Sequence, residues 1–105
     1  MNNKIAANLL NILGSEIRLS IFRMLIQAGN KGLNPKYISD KLDIKPNKLS
    51  FHLKGLKDSN LINSNKNGRE LLYQANYDNM QKLVDFLFEN CCENNRTDCT
   101  NTKIC

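Results

Sequence analysis

The feature that most constrains the fold is the segment 34–57, in which two predicted helices follow each other closely. Asn34 is a good N-cap and Pro35 is favoured at the first helical position, so a short helix is expected to begin there. Pro46 opens a second helix after the turn Asp43-Ile44-Lys45. A short helix, a turn of about three or four residues and a second helix form the helix-turn-helix unit.

The second predicted helix has one apolar side and one polar, basic side. Leu49, Leu53 and Leu56 fall at positions i, i+4 and i+7, so they form a narrow stripe that packs on the core. His52 lies beside this stripe, where packing or hydrogen bonding is expected rather than metal binding. Because the second helix of such a unit enters the major groove of DNA, its outward side chains are expected to contact DNA: Asn47, Lys48, Ser50, Phe51, Lys54 and Lys57. Phe51 is either a surface aromatic or a contact to a thymine methyl group.

The positive charge of the chain is concentrated in this part of the sequence. The chain has a formal net charge of +5, from 15 basic and 10 acidic residues. Residues 31–69 contain nine Lys or Arg and three acidic residues, which gives this stretch a local charge of +6. Clustered cations are typical of a surface that binds nucleic acid, because neutralised phosphates release counterions. A solvated lysine-rich surface without a polyanionic partner is the alternative.

A predicted β-hairpin follows the basic helix. Asn67-Gly68 lies between the apolar runs Leu61-Ile62 and Leu71-Leu72-Tyr73, and Asn-Gly is a strong hairpin signal because both residues accept a positive φ. Lys66 and Arg69 would then lie at the tip. Cations at such a tip can bind the sugar-phosphate backbone beside the groove that the helix occupies.

The flanking segments complete one small domain. Apolar periodicity predicts two helices before residue 34, separated at Gly14-Ser15, and a last helix after Asn76. Residues 1–92 are therefore expected to form one mainly α domain with a β-hairpin, and residues 93–105 a flexible tail that contains cysteines. A domain this short gains stability from dimerisation. No run of about 18 apolar residues and no signal-peptide pattern is present, so a cytoplasmic protein without membrane association is expected.

Three motifs, in this order, resemble those of the ArsR/SmtB family of winged helix repressors. They are the segments 13–22 (LGSEIRLSIF), 50–56 (SFHLKGL) and 61–73, which contains the Asn-Gly turn. The resemblance extends over residues 5–92 and implies a winged helix-turn-helix fold and a homodimer that pairs through its first and last helices. It also implies that two recognition helices bind a pseudo-palindromic operator in double-stranded DNA, which is released when a metal or metalloid binds.

The sensor sites of this family vary, and two of the usual ones are missing from this chain. The first helix of the helix-turn-helix has no Cys-x-Cys pair, and the last helix has no histidine, since the only histidine of the chain is His52. A variant group of the family senses arsenite and antimonite through adjacent cysteines at the end of the last helix and one more downstream. Cys91, Cys92 and Cys99 match that pattern. The resemblance therefore implies trivalent arsenic or antimony as the inducer.

The chemistry of the cysteines agrees with that implication and leaves alternatives open. Soft thiolates select thiophilic ions, and three of them satisfy trivalent arsenic or antimony, whereas structural zinc more typically needs four, for which Cys105 could be the additional ligand. Oxidation of the same cysteines, or binding of cadmium, lead or zinc, is the alternative signal.

The sequence gives less support to two other classes of function, an enzyme and a metalloid carrier. A cysteine-based enzyme such as a reductase is not expected, and neither is a catalytic cofactor, because the chain has no Cys-x5-Arg loop, no acid-base partner for a cysteine and no glycine-rich loop. A protein that carries metalloid without DNA specificity is disfavoured by the basic stretch 31–69.

Overall fold

The computed structural model describes residues 1–93, which fold into five α-helices and one β-hairpin. In chain order these elements are α1 (Asn3–Leu13), α2 (Glu16–Ala28), a single 3₁₀ turn (Gly29–Lys31), α3 (Pro35–Leu42), α4 (Pro46–Asp58), β1 (Ile62–Asn67), β2 (Glu70–Ala75) and α5 (Tyr77–Phe88). The predicted class, mainly α with a β-hairpin wing, is confirmed. None of the helices in residues 1–93 is long and apolar enough to cross a bilayer.

The predicted helix boundaries coincide with side-chain caps. Gly14 ends α1, and the Oγ atom of Ser15 accepts a hydrogen bond from the backbone N–H of Arg18 at 3.4 Å, which caps α2. The Oδ1 atom of Asn34 accepts from the backbone N–H of Tyr37 at 2.7 Å and caps α3. Local sequence therefore determines where the helix-turn-helix unit begins.

The hairpin forms where the sequence predicts it, but its turn is displaced by one residue. β1 and β2 are antiparallel, and Asn67 pairs with Glu70, so the two turn residues are Gly68 and Arg69. Asn67 belongs to β1 and is not among the residues with positive φ, whereas Gly68 has a φ of 69°. The expectation that Asn67 occupies the turn is wrong, because glycine at the first turn position supplies the positive φ that a two-residue hairpin turn needs.

A third, very short strand attaches the hairpin to the helices. Leu33 forms an isolated antiparallel bridge with Tyr73 in β2, with N···O distances of 2.9 and 2.8 Å. Gly32 precedes this bridge with a φ of 71°, and a Cβ atom built on it would lie 2.6 Å from the carbonyl oxygen of Tyr73. Only glycine allows the two backbones to approach this closely.

The core lies between α2 and the elements that surround it. The largest fully buried side chains are Ile21, Leu25, Ile38, Leu49, Leu56, Leu61, Ile62 and Leu83, which come from α2, α3, α4, α5 and the base of the hairpin. Burial of each such side chain contributes about 1.5 to 3 kcal/mol. The leucine stripe of α4 is thus fixed on the core, which leaves the other side of α4 facing solvent.

The last helix ends before the cysteines. α5 stops at Phe88, and Asn90 and Cys92 have φ values of 61° and 65°, in the left-handed region. A right-handed helix cannot continue through such residues. Cys91 and Cys92 therefore lie beyond the last turn of α5 and not within it. Cys99, Cys105 and nearly all of the predicted tail lie outside the described residues.

Candidate nucleic-acid interface

The outer side of α4 is exposed to solvent. The four predicted contact residues of its first half, Asn47, Lys48, Ser50 and Phe51, are all exposed, while Leu49 between them is buried. The Phe51 side chain is 69% exposed, and its ring lies edge-on to the ring of His52, with centroids 5.4 Å apart. An aromatic side chain held this far into solvent has an apolar surface available to a partner.

The five cations named at the interface differ in their contacts. Lys54 and Asp58, both strongly exposed, form an ion pair at 2.9 Å on α4, and the hydrogen bond to Asp58 raises the pKa of Lys54 above its ordinary value. The Nζ atom of Lys57 donates to the Oγ atom of Ser64 in β1 at 2.7 Å.

The remaining cations of the predicted contact surface have no carboxylate partner within residues 1–93, because Lys54–Asp58 is the only ion pair in that part of the chain. Lys48 projects from α4, and Lys66 and Arg69 are exposed at the tip of the hairpin. Their charges are not neutralised by nearby side chains. They are therefore available to phosphates.

The hairpin is oriented by hydrogen bonds that β2 makes to the helical part of the molecule. Gln74 donates through Nε2 to the carbonyl oxygen of Asn30 at 2.9 Å, and Asn34 donates through Nδ2 to Glu70 at 3.0 Å. Together with the Leu33 bridge, these contacts fix β2 beside the N-terminus of α3. The tip therefore projects from the same unit that presents α4.

A buried polar junction joins α1, α2 and α4 behind the interface. Arg18 donates from Nε to the carbonyl oxygen of Ile12 at 2.7 Å, and its Nη1 atom lies 3.4 Å from Nδ1 of His52. A guanidinium group can only donate, so Nδ1 of His52 is the acceptor. Burial, together with the charges of Arg18 and Lys48, lowers the pKa of His52 below its ordinary value. The junction favours a neutral His52, in the hydrogen-bonding role expected from the sequence.

A second junction, between α4 and α5, could not be found from the sequence pattern. The carbonyl oxygen of Asn60, just after α4, accepts from Nδ2 of Asn76 at 2.9 Å and from Nδ2 of Asn79 at 3.0 Å. Asn60 itself has a φ of 63°. The one available signal was the role of Asn76 as the N-cap of α5, since its Oδ1 atom accepts from the backbone N–H of Asn79 at 3.3 Å.

The two described cysteines lie side by side at the end of the described chain. Cys91 is exposed, Cys92 is half-buried, and their Sγ atoms are 2.8 Å apart. Residues 1–93 contain no group of three or more potential metal ligands. The predicted three-cysteine site includes Cys99, which lies outside those residues, so the site stays a prediction.

Comparison with known proteins identifies the relatives of this arrangement. The family model described as a helix-turn-helix domain matches residues 13–65. Reduced HlyU from Vibrio cholerae is 26% identical, with 87% of this chain and 93% of that chain covered and a TM-score of 0.66. An ArsR-like transcriptional regulator from a Rhodococcus species is 24% identical, with coverages of 91% and 88% and a TM-score of 0.75. A homodimeric winged helix-turn-helix DNA-binding domain from Mycobacterium bovis is 20% identical, with coverages of 87% and 84% and a TM-score of 0.66.

The Rhodococcus protein is described as a transcriptional regulator and the Mycobacterium protein as a DNA-binding domain. No curated protein matches the chain significantly. The family match spans just over half of the chain and includes the whole of α2, α3 and α4. The chain therefore belongs to the helix-turn-helix domain family, and its fold is that of the winged helix-turn-helix transcriptional regulators.

Proposed function

We propose that this protein is a transcriptional repressor that binds operator DNA as a homodimer and releases it when a trivalent metalloid binds its cysteines. The observation that carries the DNA-binding part is the outer side of α4, where polar, cationic and aromatic side chains stand exposed above a buried leucine stripe. Such a helix fits the major groove. The cations of the hairpin tip fit the adjacent backbone.

The contact residues divide by chemistry into two groups. Asn47, Ser50 and Phe51 carry groups that can distinguish base edges, with Phe51 suited to a thymine methyl group. Lys48, Lys54, Lys66 and Arg69 supply charge for phosphates. Lys54 must exchange its contact with Asp58 for a phosphate, which is a small cost for an exposed ion pair.

The dimer is proposed to form through α1 and α5. Both helices expose large apolar side chains, with Ile5 and Leu10 on α1 and Leu87 and Phe88 on α5. The two helices also contact each other within the chain, so these side chains belong to one end of the molecule. The Mycobacterium domain of the same fold is a homodimer. A two-fold dimer would present two α4 helices to half-sites about 34 Å apart.

The inducer is proposed to be arsenite or antimonite, bound by Cys91, Cys92 and Cys99. Thiolates are the ligands that thiophilic ions select, and the proximity of the Cys91 and Cys92 sulfur atoms supports their binding one ion together. Only two residues separate α5 from Cys91. An ion that binds these two cysteines together with Cys99 would move the end of α5 and change the angle between the two subunits, which weakens binding to fixed half-sites.

A second candidate signal is oxidation, with cadmium, lead or zinc as other ligands of the same cysteines. The proximity of the Cys91 and Cys92 sulfur atoms, 2.8 Å apart, also supports this candidate, because neighbouring thiols can take part in thiol–disulfide exchange. In that case a change between thiol and disulfide, rather than a bound ion, would alter the end of α5.

DNA binding is tested with a duplex that the purified protein selects from a random-sequence pool. We expect tight, salt-dependent binding to the selected duplex and much weaker binding to a scrambled one, and Lys48→Gln should lower both the affinity and the salt dependence. Equal, weak binding to both duplexes would instead favour a metalloid-carrying protein without DNA specificity.

The signal is tested on the same protein–DNA complex, made with protein that has been reduced and then separated from excess reductant. Arsenite should release the duplex from the wild type and from Cys105→Ser, but not from Cys91→Ser, Cys92→Ser or Cys99→Ser. If diamide releases the duplex and arsenite does not, the signal is oxidation and not a metalloid. Arsenite-induced release that survives in all four variants would overturn the cysteine site.

A further inference from the structure

We propose that Lys57 is a positioning residue that clasps the wing to the recognition helix through Ser64, rather than a phosphate contact of its own. This inference rests on the proposed DNA binding. It concerns how the wing cations Lys66 and Arg69 are held in position to reach the backbone.

The clasp joins two rigid elements across a short connection. Lys57 lies in the last turn of α4, and Ser64 lies in β1, where it pairs with Tyr73 of β2. The ammonium group of Lys57 donates to the hydroxyl oxygen of Ser64 at 2.7 Å. A charged donor at this distance makes a stronger hydrogen bond than a neutral one.

The connection between them is already ordered by the backbone. The N–H of Asn60 donates to the carbonyl oxygen of Lys57 at 3.0 Å, and the N–H of Leu61 donates to that of Leu56 at 3.1 Å. Leu61 and Ile62 are buried at the base of the hairpin. The backbone therefore loses little further freedom when Lys57 reaches Ser64, and the contact costs mainly the rotamer freedom of the lysine side chain.

The two strands of the wing are supported unequally. β2 is held by hydrogen bonds to Asn30, Leu33 and Asn34. Within residues 1–93, the only side-chain hydrogen bond that joins β1 to a helix is the one from Lys57 to Ser64. Beyond Ser64, β1 is exposed up to the turn. Beyond Ser64, the described contacts hold β1 only through its pairing with β2, so the clasp is the last direct contact between a β1 side chain and a helix before the tip that carries Lys66 and Arg69.

The hydroxyl of Ser64 provides the decisive test, because its removal changes no charge. We expect Ser64→Ala to weaken binding to the selected duplex by about threefold to tenfold, the effect of one hydrogen bond, and Ser64→Thr to retain it. Lys57→Met combined with Ser64→Ala should bind no more weakly than Lys57→Met alone. Asn63→Ala, at the exposed neighbouring position of β1, is the matched control and should bind as the wild type does.

A measurement without DNA separates this inference from the proposed function. In ¹⁵N relaxation of the free protein, the order parameters of Lys66 and Gly68 should fall in Ser64→Ala and not in Asn63→Ala. If they fall while the wild type binds no DNA, the clasp stands and the proposed function fails.

If the wild type binds DNA and Ser64→Ala leaves both affinity and order parameters unchanged, the clasp is overturned. A loss of affinity in Lys57→Met alone, with a salt dependence lowered by about one, would make Lys57 a phosphate contact.

Discussion

Gly29 and Gly32 have similar backbone conformations and different surroundings. Their φ values are 75° and 71°, and both have extended ψ values, in a region that is essentially restricted to glycine. A Cβ atom on Gly29 would meet nothing within 4 Å, whereas one on Gly32 would lie 2.6 Å from the carbonyl oxygen of Tyr73. Alanine at Gly29 would therefore introduce backbone strain only, whereas alanine at Gly32 would introduce both backbone strain and steric overlap.

Gly29→Ala is expected to lower the free energy of unfolding by about 1 to 3 kcal/mol, the cost of the strained conformation alone. Gly32→Ala should lower it by about a further 1 to 3 kcal/mol, because the strand bridge must shift to make room. Urea denaturation of both variants measures the two costs. Equal costs would mean that the Leu33–Tyr73 bridge yields without resistance.

His52 is expected to make stability depend on pH. Its folded pKa is lowered, chiefly by burial, so between about pH 6.5 and that lower value the unfolded chain binds more protons than the folded chain. The contribution of neutral His52 to the free energy of unfolding is therefore complete above about pH 6.5 and is lost as the pH decreases through this window. Denaturant titrations at pH 7.5, 6.5 and 5.5 measure the fall.

His52→Gln is the matched control, because glutamine can still accept a hydrogen bond from Arg18 but does not titrate. His52 is the only histidine of the chain, so the variant should lose the pH dependence in this window. Parallel losses of stability in the wild type and His52→Gln would assign the effect to carboxylates instead.

At the scale of elements, one residue at the start of α5, Asn76, makes two structural hydrogen bonds. Asn76 caps α5 through its oxygen and binds the carbonyl of Asn60, after α4, through its nitrogen. The same carbonyl receives the amide of Asn79. The end of the recognition helix is therefore fastened to the first turn of α5, next to which Tyr77 donates from its hydroxyl to the carbonyl oxygen of Ile26 at 3.1 Å.

Asn76→Ala removes both hydrogen bonds and should destabilise the protein by about 1 to 3 kcal/mol. Asn76→Asp keeps the cap and adds a favourable charge at the helix N-terminus but loses the donor, so its cost should be smaller, about 1 kcal/mol. Thermal or urea denaturation compares the two variants. If Asn76→Asp is as damaging as Asn76→Ala, the bond to Asn60 matters more than the cap.

Elements defined by neighbours in sequence could be predicted, and contacts between distant residues could not. The cap at Asn34 and the leucine stripe of α4 are patterns within a few residues, so the sequence was sufficient to find them. The clasp between Lys57 and Ser64, the contact of Arg18 with His52, and the Asn60 junction each join different elements through polar side chains. No periodicity marks such pairs. The end of α5 was missed because its polar residues fit a helix and a turn equally well.

At the scale of the whole molecule, the apolar end formed by α1 and α5 predicts the oligomeric state. Leu87 is 53% exposed on α5, and Leu87→Glu should produce monomers that bind the selected duplex more than about tenfold more weakly. Leu19→Glu, at a 43% exposed position on α2, is the control and should remain dimeric. Light scattering after size-exclusion chromatography measures the mass. A dimeric Leu87→Glu variant would exclude α5 from the interface.

The bridge between Leu33 and Tyr73 also closes a long loop of the chain. Because these residues hydrogen-bond to each other, the chain enters and leaves the segment 33–73 at neighbouring points. α3, α4 and the wing tip lie inside this closed loop, while α1, α2, α5 and the cysteines lie outside it. Segments with adjacent ends can be inserted into a new host with little disturbance. The ends of this loop therefore lie together, but Ile38, Leu49 and Leu56 inside it share one core with α2 outside it. A transfer of the loop to another protein of this fold would thus need the apolar side of α2 to be transferred with it.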